Sequence, residues 1–93
     1  MLTFKTKKQL FDFLVENSPE TQLCDGLEGA FIGLAESFGG FIAVYDRGKI
    51  IDMLEKDMSR EEAEEYFSFN IVGAYVGPLT PVYLVCKVKG KLK

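Results

Sequence analysis

Residues 59 to 83 read Ser59-Arg-Glu-Glu-Ala-Glu-Glu-Tyr-Phe-Ser-Phe-Asn70-Ile-Val-Gly-Ala-Tyr-Val-Gly-Pro78-Leu-Thr-Pro-Val-Tyr83. Ser59-x-x-Glu62 is a capping box, in which hydroxyl and carboxylate satisfy the first free amide groups of a helix. Met58 and Ala63 stand at the positions of a hydrophobic staple. Glu61, Glu62, Glu64 and Glu65 sit where the helix dipole favours negative charge. Helical spacing then puts Ala63, Tyr66, Phe67, Asn70, Ile71 and Ala74 on one face and Phe69, Val72 and Val76 on another, so the second half is expected to be buried on most sides. Gly77-Pro78 stops the helix, and Thr80-Pro81 favours extended backbone. Asn70 puts an amide on the apolar face, where it needs partners: the backbone of the turn Gly77 to Pro81, or of the loop Asp25 to Gly29.

Beyond the turn, Val82 to Val88 alternates Val82, Leu84, Cys86 and Val88 with Tyr83, Val85 and Lys87, which predicts a strand with one apolar face. Upstream, Asp46 can cap a helix whose Ile50, Ile51 and Leu54 face inward while Lys49, Asp52, Glu55 and Lys56 face water. Gly48 weakens its first turn by about 1 kcal/mol relative to Ala. Ala30 to Ala35 and Phe41 to Tyr45 lean towards strand and flank Gly39-Gly40, which predicts a hairpin. Residues 27 to 37 also keep helix spacing through Leu27, Phe31, Leu34 and Phe38, so a helix there stays open. Thr6-x-x-Gln9 opens a first helix over about Lys7 to Asn17, with a stripe of Leu10, Phe11, Leu14 and Val15. Residues 18 to 28 read as a loop. The order helix-strand-strand-helix-helix-strand predicts one small α+β domain: a three-stranded antiparallel sheet in the order 1-2-3, with three helices mainly on one face.

Composition agrees with a single core. The chain has 93 residues, 47% of them apolar and 27% charged, enough to fill an interior and cover it. Cys24 and Cys86 match neither a metal-ligand spacing nor a redox pair, and read as small reduced core residues. Met1 is followed at once by a charged amphipathic stretch rather than a secretory leader, and no apolar run approaches a membrane span. The expectation is a soluble cytoplasmic protein. The net charge of -3 hides basic ends, Lys5, Lys7 and Lys8 at one and Lys87, Lys89, Lys91 and Lys93 at the other. Nucleic-acid binding would need these groups to meet on one surface, and the acidic middle counts against it.

The chain holds no histidine, which removes His-based triads, His general bases and His-containing zinc motifs together. Carboxylates on the first turns of an amphipathic helix read as a solvated face. Gly26-Leu27-Glu28-Gly29 and Gly39-Gly40 match neither a phosphate loop nor a dinucleotide fingerprint. No cofactor or metal is implied. Two candidate surfaces remain. Glu55, Asp57, Glu61, Glu62, Glu64 and Glu65 crowd one helix connection and could meet a basic patch on another protein, although helix-cap electrostatics explain the same residues. Asn70, Tyr75 and Thr80, with Asp25 and Asp46, could line a small pocket, although Asn70 reads more readily as a structural strut.

Several stretches carry a family likeness: Asp25-Gly-Leu-Glu-Gly-Ala-Phe-Ile-Gly33, Ala43-Val-Tyr-Asp-Arg47, the helix Lys49 to Leu54, and Glu61-Glu-Ala-x-Glu-Tyr-Phe-x-Phe-Asn-Ile-Val-Gly-Ala-Tyr-Val-Gly-x-x-Thr-Pro81. Over about residues 25 to 83 the chain resembles a family of small bacteriophage and prophage proteins. It departs from that pattern at Gly39-Gly40, where other members tend to carry a polar residue and proline, and at Asp57-Met58, where a glycine often precedes the Met. The resemblance implies a source and a fold unit, and no mechanism. Together these readings point to a non-enzymatic accessory protein that binds a host or phage macromolecule. The alternatives are a self-associating structural protein, as monomer or homodimer, and a small-ligand binder or enzyme with a pocket near Asn70.

Overall fold

A computed structural model describes residues 2–92, so Met1 and Lys93 lie outside the described residues. Along the chain come α1 (Lys7–Asn17), a 3-10 turn (Glu28–Ala30), β1 (Phe31–Ser37), β2 (Gly40–Asp46), α2 (Arg47–Leu54), α3 (Arg60–Tyr66), a π-helix (Phe67–Val72) and β3 (Val82–Leu84). The α+β class, the element order and the strand order β1-β2-β3 are as expected. Residues from Phe31 onward are strand, which closes the helical alternative.

The helices start where their caps place them. The Thr6 hydroxyl accepts from the Gln9 amide, Asp46 from the Lys49 amide, and Ser59 and Glu62 exchange bonds of 3.1 Å each in a complete capping box. The Gln9 side chain reaches back to the Lys5 amide rather than to that of Thr6. On α1, Leu10 and Leu14 are buried and Phe13 is half-buried, while Phe11 and Val15 are exposed. The stripe therefore runs through Leu10, Phe13 and Leu14, one step round from the expected one.

β1 and β2 form the predicted antiparallel hairpin, with Ser37 opposite Gly40 and a tight Phe38-Gly39 connection. Gly40 has φ +148°, a backbone conformation that favours glycine. Phe41, Ala43 and Tyr45 alternate onto one face of β2. That face meets Phe13 of α1, with ring centroids 5.5 Å apart, and a core built from Ala30, Ala43, Tyr45, Ile50, Ile51, Ala63 and Phe67. The helices thus lie on one side of the sheet.

The sheet is mixed rather than antiparallel throughout: β3 runs parallel to β2, with Val44, Tyr45 and Asp46 opposite Val82, Tyr83 and Leu84. Two helices alone would return the chain to the end of the sheet it left. Here residues 73–81 add an irregular return leg, and Leu79 is buried where β2 begins, close enough that a side chain at Gly40 would meet it at 3.2 Å. The chain therefore re-enters beside the start of β2, and a long crossover of this kind gives a parallel pair. β3 also ends at Leu84 rather than Val88, because its neighbour β2 turns into α2 after Asp46 and leaves Val85 without a partner. Its inward face is that of Tyr83, which packs on Phe67 at 5.2 Å between centroids; Val82 faces outward. Cys86, expected in the core, is exposed for the same reason.

The second half of the third helix is the other correction. α-Helical geometry stops at Tyr66, and the π-helix that follows spreads successive side chains over a wider turn. Phe67 and Ile71 still face the core. Among the described residues no element covers the opposite side, so Phe69 and Val72, and Tyr75 and Val76 just beyond the helix, stand in solvent instead of being buried.

Candidate functional site

The sequence-predicted polar residues separate into structural and free groups. Asp46 caps α2 through the Lys49 amide at 3.2 Å. Thr80 donates its hydroxyl to the Gly77 carbonyl at 2.6 Å and accepts from the Val76 amide at 2.8 Å, closing the turn after the π-helix. Both side chains are thus engaged in local bonding, Asp46 through Oδ1 alone. Tyr75 is exposed and lines neither of the two depressions described below.

Asn70 does not act as the expected strut: it is exposed, and its side chain makes no hydrogen bond among the described residues. Its helix is held by the Phe67 and Ile71 side instead, so the architecture stands without the amide. Asn70 and Asp25 do share a shallow depression of about 350 Å³, together with Gln22, Cys24, Tyr66 and Tyr83. A larger groove of about 740 Å³ lies between α1 and β1, and Leu23, Cys24 and Asp25 border both.

Cys24 and the two tyrosines beside it were not singled out by sequence, because no spacing links positions 24, 45 and 83. The Tyr45 hydroxyl accepts from the Cys24 amide at 2.8 Å, and the Cys24 Sγ lies 3.7 Å from the Tyr83 hydroxyl. Burial pushes the Tyr45 phenol up to about 12, and burial with the Cys24 contact raises that of Tyr83 as well. A phenol held neutral in this way is a poor acceptor for the thiol proton at ordinary pH, so the trio packs rather than activates a nucleophile. No group of metal-ligating side chains occurs among the described residues.

The acidic surface is partly neutralised by the protein itself. Arg47 bridges to Glu64 and lies 5.0 Å from the Phe67 ring centroid, and Arg60 meets Glu55 at 2.8 Å. The Arg47 guanidinium holds the Glu64 carboxyl below the usual carboxylate range, and the Ser59 backbone amide does the same for Glu62. Asp57, Glu61 and Glu65 are exposed without an ion pair among the described residues. Of the N-terminal lysines, Lys7 meets Glu28 and Lys8 meets Asp12, which reduces that cluster to Lys5.

Glu61 and Glu65 lie about one turn apart on α3, and Phe69 and Val72 are exposed on the π-helix that continues it, giving an outward stripe of exposed side chains that widens where the helix does. All are exposed, Phe69 by 78%, and Tyr75 beyond them by 75%. This stripe is acidic at its start and apolar at its end. Its signal in the sequence was the second apolar face of the helix, which reads as buried unless the far side is known to be empty. Comparisons with protein families, with curated proteins and with solved structures found no match. No described helix is long and apolar enough to cross a membrane.

Proposed function

We propose that this protein is a non-enzymatic interaction module that binds another protein through the outward stripe of α3 and the π-helix. The resemblance to bacteriophage and prophage proteins suggests that it acts inside a bacterial cell on a host or phage macromolecule. One observation carries the reading: Phe69 and Val72 are exposed on a helix whose Phe67 and Ile71 side already completes the core, and Tyr75 and Val76 are exposed in the irregular leg that follows it. Exposed apolar side chains on one stretch of chain mark candidate docking surfaces, and tyrosine and phenylalanine are enriched in the centres of such surfaces. The carboxylates of Glu61 and Glu65 at one end favour a partner with basic residues beside its apolar ones.

The test compares capture from bacterial lysate by the wild-type chain and by a Phe69→Asp, Tyr75→Asp variant. The expected result is a protein retained by the wild type and released by the variant. Identical retention by both would refute this surface as the binding site.

A further inference from the structure

We propose that the free edge of β1 takes the C-terminal segment of a second copy of this chain as an added strand, giving a reciprocally exchanged dimer. This site is separate from the stripe on α3. β1 is an outer strand of the sheet, and among the described residues no backbone hydrogen bond reaches its far edge. The groove of about 740 Å³ follows that edge. Phe31, Ile32, Gly33 and Leu34 all line it, although strand side chains alternate between faces, and Gly33 lines it with backbone alone. Its other wall is α1, through Leu10 and Phe11. A strand edge facing an apolar wall lets an extended peptide gain backbone bonds from the one and side-chain burial from the other. Outer strands are commonly protected by lysine or proline, and β1 carries neither.

The segment after Leu84 has the matching form. Every residue from Val85 to Leu92 is exposed, and the radius of gyration is 14.3 Å against about 12 Å for a compact domain of this length. Gly90 has φ +70°, which breaks an extended run and sets its limit at Lys89. The register shift between Phe31 and Gly33 sets the regular edge of β1 at Gly33 to Ser37. Val85 to Lys89 thus matches Gly33 to Ser37 residue for residue, about 17 Å of strand each. In an added strand Cys86 and Val88 fall on one face and Val85, Lys87 and Lys89 on the other. The two faces meet different surroundings. Cys86 and Val88 enter the groove beside Leu34 and α1, while the lysines stand over the open side of the sheet, where Ala35 and Ser37 pair with Ile42 and Gly40.

The occupant is a second copy rather than the same chain. β3 and β1 are the two outer strands, so the place beside β1 lies three strand spacings, about 14 Å, from β3. Crossing that distance consumes about four residues from Val85 onward, and what remains before Gly90 is too short to line Gly33 to Ser37. Charge favours the same pairing. The tail holds Lys87, Lys89, Lys91 and Lys93 in a chain of net charge -3, so the body that receives it is acidic. Asp25 and Glu36 line the groove without an ion pair among the described residues. Each copy owns one tail and one edge, so exchange about a two-fold axis closes the assembly instead of extending it into a fibre.

Sedimentation of the full-length chain over a range of concentrations, with amide hydrogen exchange at both ends of that range, tests this. The expected result is a monomer–dimer equilibrium in which those amides of Gly33 to Ser37 that do not bond β2 become protected as the dimer forms. Cys86→Asp, Val88→Asp places charges in the groove and should weaken the dimer about tenfold or more. Both side chains are exposed in the single chain, so its fold is kept. The Phe69→Asp, Tyr75→Asp variant should dimerise as the wild type does. A monomer at every concentration would overturn the proposal, as would a dimer indifferent to the tail variant or one that leaves the β1 edge exchanging freely. A dimer lost only in the Phe69, Tyr75 variant would place the contact on α3 and overturn it as well.

Discussion

Replacing Ser18 by alanine tests the junction that ties α1 to the sheet. The Phe41 amide donates to Ser18 Oγ at 3.0 Å, and the Phe41 carbonyl accepts from the Thr21 hydroxyl at 2.7 Å. Because the Thr21 proton is committed to that carbonyl, the 2.7 Å contact between the two hydroxyls has Ser18 as donor. The three groups form a closed ring that satisfies the β2 edge at a position β3 does not reach. Ser18 is itself buried. Alanine leaves the Phe41 amide without an acceptor, a loss of about 1–3 kcal/mol. For a domain of this size that lowers the melting temperature by roughly 5 to 20 °C.

The same atoms set a second, coupled effect. A Cβ at Gly40 would lie 2.6 Å from Ser18 Oγ and 3.2 Å from Leu79, and the φ of +148° is itself strained for alanine. Gly40→Ala alone should therefore cost at least ~1–3 kcal/mol from backbone strain. Added to Ser18→Ala it should cost less, because the hydroxyl that it collides with is gone, with a coupling of about 0.5–2 kcal/mol. Urea denaturation followed by circular dichroism gives all four corners of the cycle. A Ser18→Ala variant within ~0.5 kcal/mol of wild type, with the two changes strictly additive, would refute the ring.

Two further perturbations read other parts of the fold. Tyr45 and Tyr83 have phenol pKa values above the ordinary 10.0, so folding favours their neutral forms, and this stability is full below about 10 and lost as pH rises towards about 12. Tyrosinate absorbance should rise for these two only as the chain unfolds in alkali, and an early, complete rise in the folded state would contradict their burial. Ser59→Ala should destabilise by about 0.5–2 kcal/mol in thermal melts. Glu62 and Glu64 are held below their ordinary values, so the stability they add is present above the usual carboxylate range and fades as pH falls through their lowered values; the Ser59→Ala deficit should shrink in acid as Glu62 protonates.

The parts of the fold legible in the sequence are those whose signals are local. Thr6, Asp46 and Ser59 fix helix starts through bonds to amides three residues on, and Gly39-Gly40 marks the hairpin whatever surrounds it. The direction of β3 was not legible, because it depends on where the leg from Gly73 to Pro81 comes to rest, with Leu79 against Gly39 and Gly40 of the hairpin, far from it in sequence. The reversal of the Tyr83 face follows from the same placement. The exposure of Asn70 and Phe69 was hidden for a different reason. Periodicity counts apolar faces but not the elements available to cover them, and this chain has two such faces on one helix and a sheet for only one. Asn70 and Asp25 share a depression as their polarity suggested, whereas Asp46 Oδ1 and the Thr80 hydroxyl are engaged in a cap and a turn.

The central claim is that the apolar residues beyond Tyr66 on the outward side belong to a docking surface and not to the core. Equilibrium unfolding of a Phe69→Ser, Val72→Ser, Tyr75→Ser variant tests it most directly. Each side chain is exposed, so each change should fall within ~0.5 kcal/mol and the variant should unfold close to wild type. Truncating a buried aromatic costs about 3–5 kcal/mol, and a loss on that scale would place these residues in the interior and contradict the account.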